Sequence, residues 1–133
     1  MQPQHAARLF AALIALAMLF QLLLAAGMPW GQYAWGGAYP NTLPPAMRIA
    51  SLCSALLLGG MGFVVLVRSA VIRPEWQSRF RKPAWFVVGY FGLGVVANGI
   101  TPSAQERVVW LPVAATLFAL SLIVARSAPG DAS

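Results

Sequence analysis

Apolar residues in this chain do not alternate with polar ones. They come in four long blocks separated by short polar or glycine- and proline-rich breaks, over residues 8–28, 47–67, 84–100 and 108–125. A helix that crosses the roughly 30 Å hydrocarbon layer of a bilayer needs about 20 mostly apolar residues at 1.5 Å each, and each block approaches that length. The third is the shortest and carries Gly89, Gly92 and Gly94, so its ends are the least sharply drawn. The pattern predicts an all-α fold: a single membrane domain over residues 1–133, built as a four-helix transmembrane bundle in up-down-up-down order. No repeat or low-complexity segment interrupts it.

Composition points the same way. Of 133 residues, 59% are hydrophobic and only 9% charged, against about 25% charged in an ordinary soluble domain. A soluble fold of this size could not hide so much apolar surface. Nine Lys and Arg against three acidic residues give a net charge of +6. In a soluble protein that excess would suggest nucleic acid; here the cations flank the apolar blocks, so they are read as topology signals and no nucleic-acid partner is expected. Cys53 is the single cysteine, which rules out an intrachain disulfide and leaves the redox compartment open.

Cytoplasmic flanks of membrane helices collect Lys and Arg. In a four-span arrangement Arg8, Arg68, Arg73, Arg79, Arg81, Lys82 and Arg126 fall on one side and only Arg48 and Arg107 on the other. The expected orientation is therefore N-in and C-in, in a bacterial inner membrane, and the bias disfavours dual topology. His5 and Arg8, the first apolar run and Ala25-Ala26-Gly27 superficially resemble a signal peptide with its cleavage site. The run over residues 9–26 exceeds the usual 7–15-residue signal core, so the first span is expected to be retained.

Polar residues in or beside the spans are the ones that lipid makes expensive. Gln21 sits in the outer half of the first block and Asn98 near the outer end of the third, in register with Tyr90 and Gly94 at spacing four. Each amide either bonds across helices, worth about 0.6–2 kcal/mol, or faces a water-accessible cavity. Between the first two blocks, residues 29–45 carry Trp30, Tyr33, Trp35 and Tyr39 among glycines and prolines. Such rings suit the headgroup zone, and the alternative is a lid over a pocket. Pro44-Pro45 suit a helix start.

Arg48 runs against the charge bias, and it is expected to snorkel to headgroups or to pair with Glu106 or a bound anion. Ser51, Ala55 and Gly59 form a stripe of small residues suited to helix packing, with Cys53 and Ser54 assigned to packing too. Ser103-Ala104-Gln105-Glu106 fits a capping box, with Glu106 returning to the serine amide. Pro112, beyond the first turn of the fourth helix, removes a hydrogen bond to Val108 and is expected to kink it, opening space beside Arg107 and Trp110. On the inner side, Trp76 and Phe80 can dip into the interface while Arg73, Arg79, Arg81 and Lys82 meet anionic lipid headgroups, at about 1 kcal/mol each.

Several chemistries have no residues to carry them. The only histidine is His5 and the only lysine Lys82, so no intramembrane histidine metal or haem site and no retinal Schiff base is available. No span holds a central carboxylate of the kind proton-coupled transport uses. Small multidrug exporters share this length and span count but carry a central glutamate in the first helix, where this chain has only Gln21. No metal site, cofactor or catalytic residue is expected.

Pro29-Trp30-Gly31, Trp35-Gly36-Gly37, Leu43-Pro44 and Arg48, followed by Asn98, Ser103, Glu106-Arg107, Trp110 and Pro112, resemble a group of bacterial four-span integral membrane proteins. The resemblance covers most of the chain, and it implies a four-span bundle in a bacterial membrane and no activity. Together the residues suggest a non-enzymatic protein that binds or passes a small or lipid-like molecule, with an anion favoured by the two outer arginines. Its candidate site is Gln21, Trp30, Tyr33, Trp35, Arg48, Asn98, Glu106, Arg107 and Trp110. The rivals are an accessory subunit packed in a homo-oligomer or larger membrane complex, and a membrane enzyme using Glu106 and Arg107.

Overall fold

The computed structural model describes residues 1–127, and these are organised by four long helices: α1 (Pro3–Ala26), α2 (Pro45–Arg68), α3 (Arg81–Ile100) and α4 (Ala104–Arg126). Each starts and stops where local chemistry dictates. Proline opens α1 and α2, at positions where its missing N–H is no loss. Gly27, with φ 109°, closes α1. Its amide reaches the Leu24 carbonyl at 3.1 Å and that of Met28 the Leu23 carbonyl at 3.0 Å, a Schellman pair that satisfies two otherwise orphaned acceptors. The Ser103 hydroxyl caps α4 by accepting from the Glu106 amide at 3.1 Å. Short 3₁₀ turns occupy Gly31–Tyr33, Trp35–Gly37 and Pro74–Phe80, the last running straight into α3.

Two helix pairs, α1 with α2 and α3 with α4, pack side by side in opposite directions. Gly59 and Gly62 of α2 lie against Met18 and Ile14 of α1, while Arg48 at the start of α2 meets Ala25 at the end of α1. In the second pair, Gly92 and Gly94 of α3 face Phe118 and Ala114 of α4. Small residues thus let the backbones of both pairs approach closely. The two pairs join mainly through α1 and α4, and α2 and α3 make much thinner contact. A narrow core runs down the middle, with Phe10 edge-on to Phe91 at 5.6 Å and Phe20 against Trp110 at 4.8 Å.

The outward faces are as apolar as the inward ones. Leu56, Leu93, Ile100 and Val108 are 70–77% exposed, and in the most apolar 18 residues of each helix only 22–33% are buried. Leaving such a side chain in water forfeits roughly 1.5–3 kcal/mol. All four helices are long and apolar enough to cross a bilayer, which is the architecture of a small multi-pass integral membrane protein. The small-residue stripe behaves as its spacing suggests, since Ser51 and Ala55 are buried and Gly59 abuts Met18. Cys53 does not, because it lies on the exposed face of α2. Helix α4 continues through Pro112 without interruption.

Candidate functional site

Residues 28–44 form a strap across the end of the bundle where α1 and α3 finish and α2 and α4 begin. The strap first folds on itself: the Gly31 amide donates to the Asn41 carbonyl at 2.9 Å and that of Gln32 to the Pro40 carbonyl at 3.2 Å. A Cβ at Gly31 would collide with the carbonyl oxygens of Tyr39 and Asn41, so only glycine allows this approach. Trp35, Gly36 and Gly37 then take consecutive left-handed conformations, φ 52°, 67° and 75°. For Trp35 that conformation costs about 1–2 kcal/mol, and neighbouring contacts must hold it.

Those contacts come from every side. The Trp35 indole Nε1 donates to the Ser51 hydroxyl of α2 at 3.3 Å. The Gly36 amide donates to Glu106 Oε2 of α4 at 2.9 Å, and the Thr101 hydroxyl donates to the same oxygen at 2.9 Å. The Ser103 hydroxyl donates to the Gln32 carbonyl at 2.5 Å. The Thr42 hydroxyl reaches the Gly27 carbonyl at 3.3 Å. Half the expected capping box is therefore present: Ser103 caps the Glu106 amide, but the Ser103 amide donates to Thr101 Oγ1 at 3.3 Å instead. The Glu106 carboxylate is thereby freed to tie the strap to the α3–α4 junction. A carboxylate accepting from a backbone N–H makes a stronger bond than a neutral acceptor would.

Beneath the strap lies a cavity of about 480 Å³. Of the nine residues predicted for the site, Gln21, Tyr33, Trp35, Asn98, Glu106 and Trp110 line it, whereas Trp30, Arg48 and Arg107 do not. Trp30 packs with Leu24, Ala34 and Leu43 under the other side of the strap. Arg48 Nε donates to the Ala25 carbonyl at 2.8 Å, and its guanidinium lies along Gly27, where a cation offsets the negative end of α1. The exposed Arg107 does the same for α3, donating to the Thr101 carbonyl at 2.6 Å. Both arginines thus serve helix ends, and the electrostatic case for an anion in this cavity loses its cations.

The remaining lining defines what the cavity can hold. Phe20, Tyr33, Trp35, Tyr90, Phe91 and Trp110 supply aromatic walls. Asn98 Nδ2 is committed to the Gly94 carbonyl one turn back at 2.8 Å rather than to another helix. Gln21 Oε1 is buried and has no hydrogen-bond partner among the described residues. In an apolar setting an unsatisfied acceptor costs about 1–3 kcal/mol, so this oxygen marks where a donor belongs. The cavity is not sealed, because Leu93 lines it and is 74% exposed.

Tyr90 and Ser54 were not in the predicted set, yet both line the cavity. The spacing that links Tyr90 to Asn98 was the available signal for the tyrosine; nothing in the pattern distinguished Ser54 from a packing serine. Among the described residues, no three His, Cys, Asp or Glu side chains come together as metal ligands would. The fold and site define a membrane-compatible four-helix bundle with a strapped, laterally open, aromatic cavity. Comparisons with protein-family models, curated proteins and solved structures find no match to this chain.

Proposed function

We propose that the chain sits in a bacterial cytoplasmic membrane with both ends in the cytosol, and that its strapped cavity binds one small lipid-like molecule without chemically altering it. The unpartnered Gln21 Oε1 carries this reading. Among the described residues, the only formal charge in the lining is the carboxylate of Glu106, and that group already accepts two hydrogen bonds. The ligand therefore has an apolar body to lie against the rings and a hydroxyl or amino donor to meet Gln21, in place of the anion that the sequence suggested. Entry is sideways from lipid, past Leu93.

The test is to extract the protein in mild detergent and identify co-purifying small molecules by mass spectrometry, with Ala97→Phe as a variant that fills the cavity from an exposed position of its lining. One molecule per chain in the wild type, lost in the filled variant, supports the reading. Equal retention by both, or none by the wild type, overturns it.

The accessory-subunit reading has one observation of its own. Gly60, Gly89 and Gly99 have nothing within 4 Å of where a Cβ would stand, so they leave shallow notches on the outer surface of the kind neighbouring membrane helices fill. A stoichiometric protein that co-migrates after mild extraction favours that assignment.

A further inference from the structure

At the end opposite the strap, a second recess of about 530 Å³ has walls that include Arg68, Arg81 and Arg126, together with Ser78, Ser127 and Trp85. Its electrostatics are unbalanced. Arg68 is only 2% exposed, yet no carboxylate among the described residues lines the recess with it. Its Nη1 donates to the Gln77 carbonyl at 3.1 Å and its Nη2 to the Ser127 carbonyl at 2.6 Å. Its Nε is buried and has no acceptor among the described residues. Carbonyls accept hydrogen bonds without neutralising charge, so among the described residues nothing compensates the cation. Arg81 and Arg126 share the recess as exposed side chains. The ion pair that the described residues do form, Arg73 with Glu75 at 3.5 Å, lies outside it.

Three like charges around one hollow repel each other unless an anion sits between them. The guanidinium fork matches the oxygens of a phosphate in particular, through parallel charge-assisted N–H donors. The Ser127 hydroxyl spends its proton on the Val124 carbonyl at 2.6 Å, so the donors to an anion come from the guanidinium groups. Trp85 at the rim is an indole of the kind that settles at headgroup depth. We propose that this recess is a binding site for an anionic phosphate group, presented by a phospholipid headgroup or as a free phosphate. The inference is independent of the strapped cavity. It also differs from diffuse attraction of basic residues to a surface, because Arg73, Arg79 and Lys82 are outside the recess; Arg73 already pairs with Glu75 and lies 4.9 Å over the Trp76 ring.

The experiment measures binding of short-chain phosphatidylglycerol, diacylglycerol and inorganic phosphate to the delipidated full chain, by native mass spectrometry and by tryptophan emission. One phosphatidylglycerol per chain is expected, with Arg81→Gln and Arg126→Gln each weakening it about tenfold, the loss of one charge-assisted bond. Arg79→Gln removes the same charge outside the recess and is expected to change it less than about twofold. Competition by inorganic phosphate identifies a free-phosphate site, and its absence identifies a lipid headgroup site. Equal binding of diacylglycerol and phosphatidylglycerol, no binding of either phosphate-bearing ligand, or an Arg79→Gln loss as large as that of Arg81→Gln overturns the proposal. Because Arg68→Gln also removes two structural bonds, the two exposed arginines are the positions that decide the outcome.

Discussion

The two ends of the bundle are closed by opposite electrostatic means. At the strapped end a single carboxylate, Glu106, accepts from a loop amide and a threonine hydroxyl, and the nearby arginines are spent on helix carbonyls. At the other end a single buried cation, Arg68, donates to carbonyls from the Pro74–Phe80 turn and from the end of α4, with further arginines beside it and, among the described residues, no acid in the recess. The first end keeps its charge satisfied by protein groups and leaves a neutral acceptor, Gln21 Oε1, wanting a donor. Among the described residues, the second leaves both one donor, Arg68 Nε, and the guanidinium charge without a partner. A hollow short of a donor and a hollow short of an anion select different ligands, so the same bundle offers two separable sites.

The largest expected effect comes from removing the buried cation. Arg68→Ala leaves the Gln77 and Ser127 carbonyls unpaired and detaches both the 3₁₀ turn and the end of α4. Hydrogen bonds to charged groups contribute about 1.5–3 kcal/mol each, so the loss of two is expected to cost roughly 3–6 kcal/mol in a reversible unfolding titration in detergent micelles. A loss below about 1 kcal/mol would mean that Arg68 is a passenger at that end. Next comes Glu106→Leu, which strips acceptors from the Gly36 amide and the Thr101 hydroxyl. The strap should loosen while the four helices persist, at a cost of about 2–4 kcal/mol for two unsatisfied donors. Hydrogen exchange at Gly36 and Gly37 should accelerate, with no change in α2 or α3. Glu106→Gln keeps an acceptor and should cost about 1 kcal/mol, from the lost charge assistance.

The contrast between the ends also marks what could be read from the chain beforehand. The four helices were legible because lipid imposes a length and a composition that a run of apolar residues cannot disguise. Two of the residues that line the cavity, Gln21 and Asn98, stand out in the sequence as well, because an amide in such a run is costly wherever it sits, whereas Tyr90 and the apolar lining do not. Charged residues were harder to read. Arg48 and Arg107 lie near the cavity in sequence, but each has carbonyls at the end of a neighbouring helix closer to hand. Glu106 fits a capping box, and only the folded strap supplies the Gly36 amide that competes for its carboxylate. Arg68 reads as one more inner-side cation, since nothing local says that the end of α4 returns to cover it. What the linear pattern lacked was the tertiary proximity of backbone carbonyls, which every segment carries and no motif reveals.

Two smaller effects sharpen the reading of the strapped end. Gln21→Leu replaces an unpartnered buried acceptor with an apolar side chain of similar size. In the emptied protein it should raise stability by about 1–3 kcal/mol while abolishing ligand retention, and a destabilised variant would mean that Gln21 has a protein partner in the membrane.

Arg48→Ala is the smallest change and the most discriminating. If the guanidinium served a ligand in the cavity, its removal would eliminate binding and leave the fold untouched. In the structure it does neither job: it is absent from the lining, and it donates to the Ala25 carbonyl and rests along Gly27 at the end of α1. Losing it therefore costs one hydrogen bond and a favourable charge at the negative end of a helix, about 1 kcal/mol, seen as a small drop in the unfolding midpoint. Ligand retention should be unchanged within about twofold. Loss of the ligand at full stability would instead return Arg48 to the cavity and restore an anion as its occupant, and the two ends of the molecule would then share one chemistry rather than divide it.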